Sequence, residues 1–297
     1  MPDTPRPSRP SLPALLAASL ALCLWGSPAR ATTFSFSTGD PDGKMAMASR
    51  PASAGKIEIE AADDLVLAGE TLIDHATFTG LLPSGTSLTD VSQVRVEIYR
   101  VFPQDSDVGR TSGAPTFSTS QVPTRVNSPS DVAFDSRDSA AATLTFGASL
   151  LSATFTAANS VLNGIHPKPN FQTGGDGAVT GEEVSFEVAM NALDLPAGHY
   201  FFVPQVALST SGDFFWLSAP KPITGGTGPF TPDLQTWIRN EDLDPDWLRV
   251  GTDIVGGDPA PTFNAAFSLE GDVVPEPSAG LLLAAGIVGI ALRRRRA

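Results

Sequence analysis

Glu183-Val184-Ser185-Phe186-Glu187-Val188-Ala189-Met190 carries an apolar side chain at every second position. A period of two puts Val184, Phe186, Val188 and Met190 on one face of an extended strand, and Glu183, Ser185 and Glu187 on the other. One face buried and one wet is the pattern of an antiparallel sandwich. The alternation recurs. Ile57 and Ile59 alternate with Lys56, Glu58 and Glu60. Val94, Val96 and Ile98 alternate with Arg95, Glu97 and Tyr99, and Leu144 and Phe146 with Thr143 and Thr145. Tyr200 to Leu208 is apolar on both faces and reads as a central strand, with Pro204 marking a bulge or an edge position.

Turn clusters separate these runs: Pro41-Asp42-Gly43, Pro83-Ser84-Gly85, Gly174-Gly175-Asp176-Gly177 and Gly225-Gly226-Thr227-Gly228. With 27 Gly and 26 Pro in 297 residues, long helical bundles are excluded. Residues 103–140, rich in Ser, Pro, Thr and Asp, predict a long irregular excursion. One short helix is expected, with Thr231 as N-cap, Pro232 at the first helical position, Asp233 in the first turn, and Leu234, Trp237 and Ile238 on one face. The expected fold is all-β: an antiparallel, jelly-roll-like β-sandwich with long irregular loops over residues 32–273. An N-terminal signal peptide and a C-terminal hydrophobic helix flank it.

Both ends read as addresses. Arg6 and Arg9, the apolar Leu12 to Leu24 and the small-x-small site Ala29-Arg30-Ala31 make residues 1–31 a secretory signal, with signal peptidase as its partner and a mature start near Thr32. Cys23, the only cysteine, leaves with that segment; Leu22 before it does not fit a lipobox, which needs a small residue there. Thiol catalysis, cysteine zinc sites and disulfides are thereby excluded from the mature chain. At the other end, Val274-Pro275-Glu276-Pro277-Ser278 precedes an apolar stretch, Ala279 to Leu292, and then Arg293, Arg294, Arg295 and Arg296. As a helix the stretch spans roughly 21 Å, short of a hydrocarbon core of about 30 Å.

Residues 274–297 resemble the PEP-CTERM sorting signal of Gram-negative bacteria: a Pro-Glu-Pro motif, a short transmembrane helix and a terminal arginine cluster. The resemblance implies recognition by an exosortase, a membrane-embedded cysteine transpeptidase-like protein, and processing near the motif. It also implies export through the inner membrane, transient anchoring by the helix, and a final place at the cell surface or outside the cell, with the arginines cytoplasmic. A second resemblance covers about 25 residues. Ala62-Asp63-Asp64-Leu65 is similar to an A-D-D-F opening of secreted bacterial β-sandwich domains that precedes a strand, and Thr77-Phe78-Thr79-Gly80 to the turn that follows it.

The precursor carries a net charge of −13; residues 32–274 keep 12 basic and 30 acidic side chains, a net of −18. Nucleic acid is excluded as a partner, since that needs a basic stripe. No G-x-S-x-G, H-E-x-x-H or phosphate-binding glycine loop is present, and no catalytic residue is assigned. His75, His166 and His199 are widely spaced and read as surface or packing residues. Acidic turns at Asp40 and Asp42, Asp105 and Asp107, and Asp176 offer oxygen ligands. The densest run is Glu241, Asp242, Asp244 and Asp246, whose crowding costs repulsion unless a cation such as Ca²⁺ or a cross-chain arginine is near; solvated turns are the competing reading. Trp216 and Trp237 read as core, whereas Trp247 is the candidate for an exposed glycan contact. The expected function is structural or adhesive: a non-enzymatic protein of the cell surface or extracellular matrix, with extracellular polysaccharide as a further partner. The alternatives are a secreted hydrolase using Asp/Glu residues and a calcium-dependent carbohydrate-binding module.

Overall fold

A computed structural model describes residues 32–53, 55–107, 127–166, 172–220 and 234–275. The signal peptide, Thr231–Asp233, the 225–228 glycine turn and the sorting tail from Glu276 onward lie outside the described residues. Fifteen strands follow one another: β1 Thr32–Ser37, β2 Met45–Ala48, β3 Ile59–Leu67, β4 Thr71–Leu82, β5 Val91–Arg100, β6 Asp135–Asp138, β7 Leu144–Ala157, β8 Asn159–Val161, β9 Val179–Leu195, β10 Gly198–Leu208, β11 Phe215–Ala219, β12 Trp237–Asn240, β13 Leu248–Arg249, β14 Asn264–Ala265 and β15 Phe267–Val273. One sheet has six strands in the order β13-β12-β3-β10-β5-β6. The other has nine. It runs β1-β15-β4-β11-β2-β8, with β9 on the free side of β4, β7 beyond β9, and β14 on β11. The long ladders are antiparallel; β2 and β8 run parallel.

The sheets pack through the alternation already described. Val184, Phe186 and Val188 of β9 and Val94, Val96 and Ile98 of β5 enter one core with Phe78, Phe202, Phe214 and Trp216. Phe78 stacks on Phe186 at 5.1 Å and meets Phe202 of the opposite sheet at 6.4 Å. Phe202 stacks on Phe267 at 5.1 Å. Such aromatic pairs add to the burial of large apolar area. This is the expected antiparallel sandwich, and Thr33–Val273 forms one compact unit.

Four local readings change. Trp237 and Ile238 belong to strand β12, paired with Ala62 and Ala61, and not to a helix; Ile238 enters the main core while Trp237 joins a second cluster. Both are apolar because this sheet is covered on both faces, which mimics a helical pattern. Residues 135–138, expected to be irregular, pair with β5. Asp63 and Asp64 lie inside β3 and not before a strand. Phe78 and Gly80 likewise lie inside β4 and not in a turn. Pro204 sits two residues beyond the last β3–β10 pair, Phe202↔Asp63, where Ser49 takes over that side of β10: its hydroxyl donates to the Pro204 carbonyl at 2.6 Å and its carbonyl accepts from the Val206 N–H at 3.1 Å, so the missing N–H interrupts no β3–β10 pair.

Gly80 is required by close approach. A Cβ there would lie 2.1 Å from a ring carbon of Phe214 and 2.4 Å from the Phe215 carbonyl. Gly80→Ala is expected to lower stability by about 1–3 kcal/mol, read as a drop in the urea midpoint. Gly147→Ala, where a Cβ meets nothing within 4 Å, should leave the midpoint unchanged.

β1 and β15 bring the two ends of the body together. The Thr38 N–H donates to the Phe267 carbonyl at 3.0 Å, and the Phe267 N–H donates to Thr38 Oγ1 at 2.9 Å. The end of β1 therefore faces the start of β15, and the neighbouring strands run antiparallel. The start of β1 and the end of β15 consequently lie at the same end of the sheet.

Candidate functional site

The outer face of the nine-stranded sheet carries a shallow trough of about 470 Å³. Register builds it. Thr145 of β7, Ala189 of β9, His75 of β4 and Glu270 of β15 form one cross-strand row. Gly147, Glu187, Thr77 and Ser268 form the next. Gly147 leaves the floor open at the β7 end, while His75, Glu187 and Glu270 are exposed. The trough thus offers hydroxyls, carboxylates and an imidazole at strand spacing, suited to hydrogen bonding along an extended polar chain. The outward period of Glu183, Ser185 and Glu187 is legible in sequence; their alignment with His75 and Glu270 depends on register. A second groove, about 370 Å³, is lined by Arg50, Lys56, Asp213 and Asn240. Its cations are already engaged: Lys56 Nζ is 2.8 Å and Arg50 Nη1 3.1 Å from Asp213 Oδ1.

The outer face of the six-stranded sheet holds a buried ionic node that sequence reading missed. Arg239 of β12 pairs with Glu60 of β3, donates to the Tyr99 hydroxyl at 2.9 Å, and lies 2.7 Å from Asp244. The Tyr99 hydroxyl lies 2.7 Å from Glu60 Oε1 and 2.9 Å from Glu97 Oε2. One phenolic proton cannot satisfy two carboxylates at once. Burial and then the charge of Glu60 push the Glu97 carboxyl up to about 7, against the pull of Tyr99 and Arg95. Burial also raises the Tyr99 phenol, and the Glu60 carboxylate is the main force keeping the Arg239 guanidinium charged against its burial. Glu60 and Glu97 are thus a close carboxylate pair, but Glu60 is 4% exposed and bound to Arg239. Neither groove described above is lined by them.

Trp247 belongs to this node. It was expected at the surface as a glycan contact, and it is 2% exposed. Its ring lies 4.3 Å from the Arg239 guanidinium and 5.3 Å, edge-on, from Tyr99; its Nε1–H donates to the Ser130 carbonyl at 3.1 Å. An arginine from a neighbouring strand draws the indole inward through cation–π contact.

The acidic run beside it does not converge. Glu241 and Asp242 are exposed, Asp244 meets Arg239, and Asp246 is buried. Among the described residues no group of three or more His, Cys, Asp or Glu is arranged to hold a metal ion. Arg239 supplies Asp244 with the arginine that such crowding calls for. The other acidic turns meet protein donors. Asp176 accepts from the Leu162 and Asn163 N–H groups at 2.7 and 2.9 Å. Asp105 pairs with Arg100 at 2.9 Å. Burial alone would raise Asp42, but the Ser218 hydroxyl and Lys44 hold it below the usual carboxylate range. Asp64 accepts from the Leu234 N–H at 2.8 Å and meets buried His199 at 2.5 Å, and Asp63 accepts from the Ala265 N–H at 2.8 Å. The paired aspartates fasten distant chain to β3. Glu276, Pro277 and Arg293 to Arg296 lie outside the described residues; Pro275 is exposed, two residues past the end of β15.

No curated protein and no solved structure matches the chain. A family model does match its end: the PEP-CTERM protein-sorting motif, over residues 273–296. The match starts at Val273, where β15 ends, so the folded body stops where the sorting segment begins. The chain is therefore a protein carrying the PEP-CTERM sorting motif, an exosortase-sorted protein of the cell surface or extracellular space.

Proposed function

We propose that this protein is a structural or adhesive component of the cell surface or extracellular matrix, delivered as a folded sandwich and without catalytic chemistry of its own. The observation that carries this reading is the junction at Val273, with a self-contained body ending where an exosortase signal begins. Residues 1–31 act as the export signal, signal peptidase removes them, and Ala279 to Leu292 anchors the protein only until it is sorted. The test is fractionation of the host with and without its exosortase. The protein should reach the surface or medium only when the exosortase is present. Equal release from both strains would overturn the reading.

The trough supports extracellular polysaccharide as the partner, because its hydroxyls, carboxylates and imidazole can hydrogen-bond the hydroxyls of a glycan chain. Residues 32–274 should retain a host exopolysaccharide on a column, and Glu187→Lys with Thr77→Lys should abolish retention. The locked Glu60–Glu97 pair gives a secreted hydrolase no open carboxylate dyad at that position.

A further inference from the structure

β7 forms one edge of the nine-stranded sheet, and among the described residues it pairs with β9 alone. Its composition departs from the rest of the body: residues 139–167 contain no Asp, Glu, Lys or Arg. Edge strands are ordinarily blunted by charge, proline or a bulge, because their free N–H and C=O groups template pairing with another chain. Leu144 to Leu150 has none of these, and its register against Met190 to Val184 is unbroken. The first bulge comes after it, at Leu150/Ser152, and leaves Leu150 50% and Leu151 55% exposed. Three other edge strands are poorer templates: β6 is Asp-Ser-Arg-Asp, β13 has two residues and β8 three. β1, Thr32–Ser37, is also uncharged, but its Thr-Thr-Phe-Ser-Phe-Ser sequence is not symmetric about any residue at its centre.

The stretch is also self-complementary. Leu144-Thr145-Phe146-Gly147-Ala148-Ser149-Leu150 reads alike in both directions about Gly147: Leu with Leu, Thr with Ser, a large Phe with a small Ala. We infer that β7 pairs antiparallel with β7 of a second copy of this chain, about a two-fold axis at Gly147. Leu150, 50% exposed in one copy, then lies beside Leu144 of the second copy, which is 3% exposed at the rim of that copy's core, and Phe146 beside Ala148. Cross-strand apolar pairs of this kind are the unit of sheet stabilisation. The seven-residue ladder spans about 23 Å and adds roughly one interchain backbone hydrogen bond per residue. Leu151 ends it at both sides. The nearest acidic side chains, Glu187 of each copy, stand three strand spacings apart, about 14 Å, beyond a Debye length of about 8 Å at physiological salt. The net acidity of the body therefore does not oppose contact along this strip. The same patch meets itself, so the assembly closes as a dimer and does not grow into a fibre.

Sedimentation of residues 32–274 should give a dimer at high concentration. Leu150→Lys, at an exposed position, should give a monomer with an unchanged circular dichroism spectrum. The mature chain has no cysteine, so Gly147→Cys places one thiol beside its own symmetry mate; oxidation should yield a disulfide-linked dimer, which Ser84→Cys, in an exposed turn, should not. A monomer at every soluble concentration would overturn the inference. So would Gly147→Cys linking no more than Ser84→Cys, or masses that grow without limit, as pairing of β7 with β1 would give.

Discussion

The stability of the body is expected to fall, not rise, between pH 5 and pH 8. Glu97 drives this. Its carboxyl is pushed up to about 7 by burial and by Glu60, whereas in the unfolded chain it titrates near the ordinary glutamate value of 4.5. A raised folded value means that the native state holds the proton more tightly. The resulting stabilisation is fully present below about pH 4.5 and is lost as pH rises through 7. The displacement corresponds to about 3 kcal/mol. Glu97→Gln keeps the shape of the protonated acid and its donor toward Glu60, and cannot ionise. It should match the parent at pH 5, exceed it by about 2–3 kcal/mol at pH 8, and flatten the decline. Urea midpoints at the two pH values measure both. A parent midpoint that rises toward pH 8, with no gap to Glu97→Gln, would show that the node does not hold that proton.

Arg239→Ala should be the most damaging single change in the node. It leaves Glu60, 4% exposed, without its counter-ion, and removes the guanidinium from the Trp247 ring. Stripping one partner from a buried ion pair costs about 3–5 kcal/mol, while replacing both partners with neutral groups of similar volume is far milder. Arg239→Met with Glu60→Gln should therefore recover most of the loss, and the red-shifted Trp fluorescence expected of Arg239→Ala should revert with it. A cost below about 1 kcal/mol would place the pair among surface ion pairs.

The node also shows why part of this protein was hidden from its sequence. β9 and β5 could be read residue by residue, because one buried face imposes a period of two on a continuous stretch. Glu60 and Arg239 are 179 residues apart, and nothing local to either announces the other. Their meeting reverses two readings at once. It turns Trp247 from an exposed aromatic into a core one, and it gives Asp244 of the 241–246 run an arginine partner. β12 fails for a related reason: Trp237-Ile238-Arg239-Asn240 is covered on both faces and runs two apolar residues then two polar ones, so it has no alternation to betray its period. The acidic turns look like metal ligands in sequence because carboxylates are visible there, while the backbone N–H groups that receive them are supplied by register. The sorting signal was fully legible because it is linear: motif, apolar stretch and arginines are contiguous in the sequence.

The proposed function makes both ends addresses and the sandwich between them the delivered protein. Mass spectrometry of the exported protein from its native host tests this most directly. The expected exported form has an N-terminus near Thr32 and a C-terminus close to Pro277, with the loss of the tail dependent on the exosortase. Recovery of peptides spanning Leu281 to Leu292 from the surface-released form would contradict it, and would make the C-terminal segment a simple anchor.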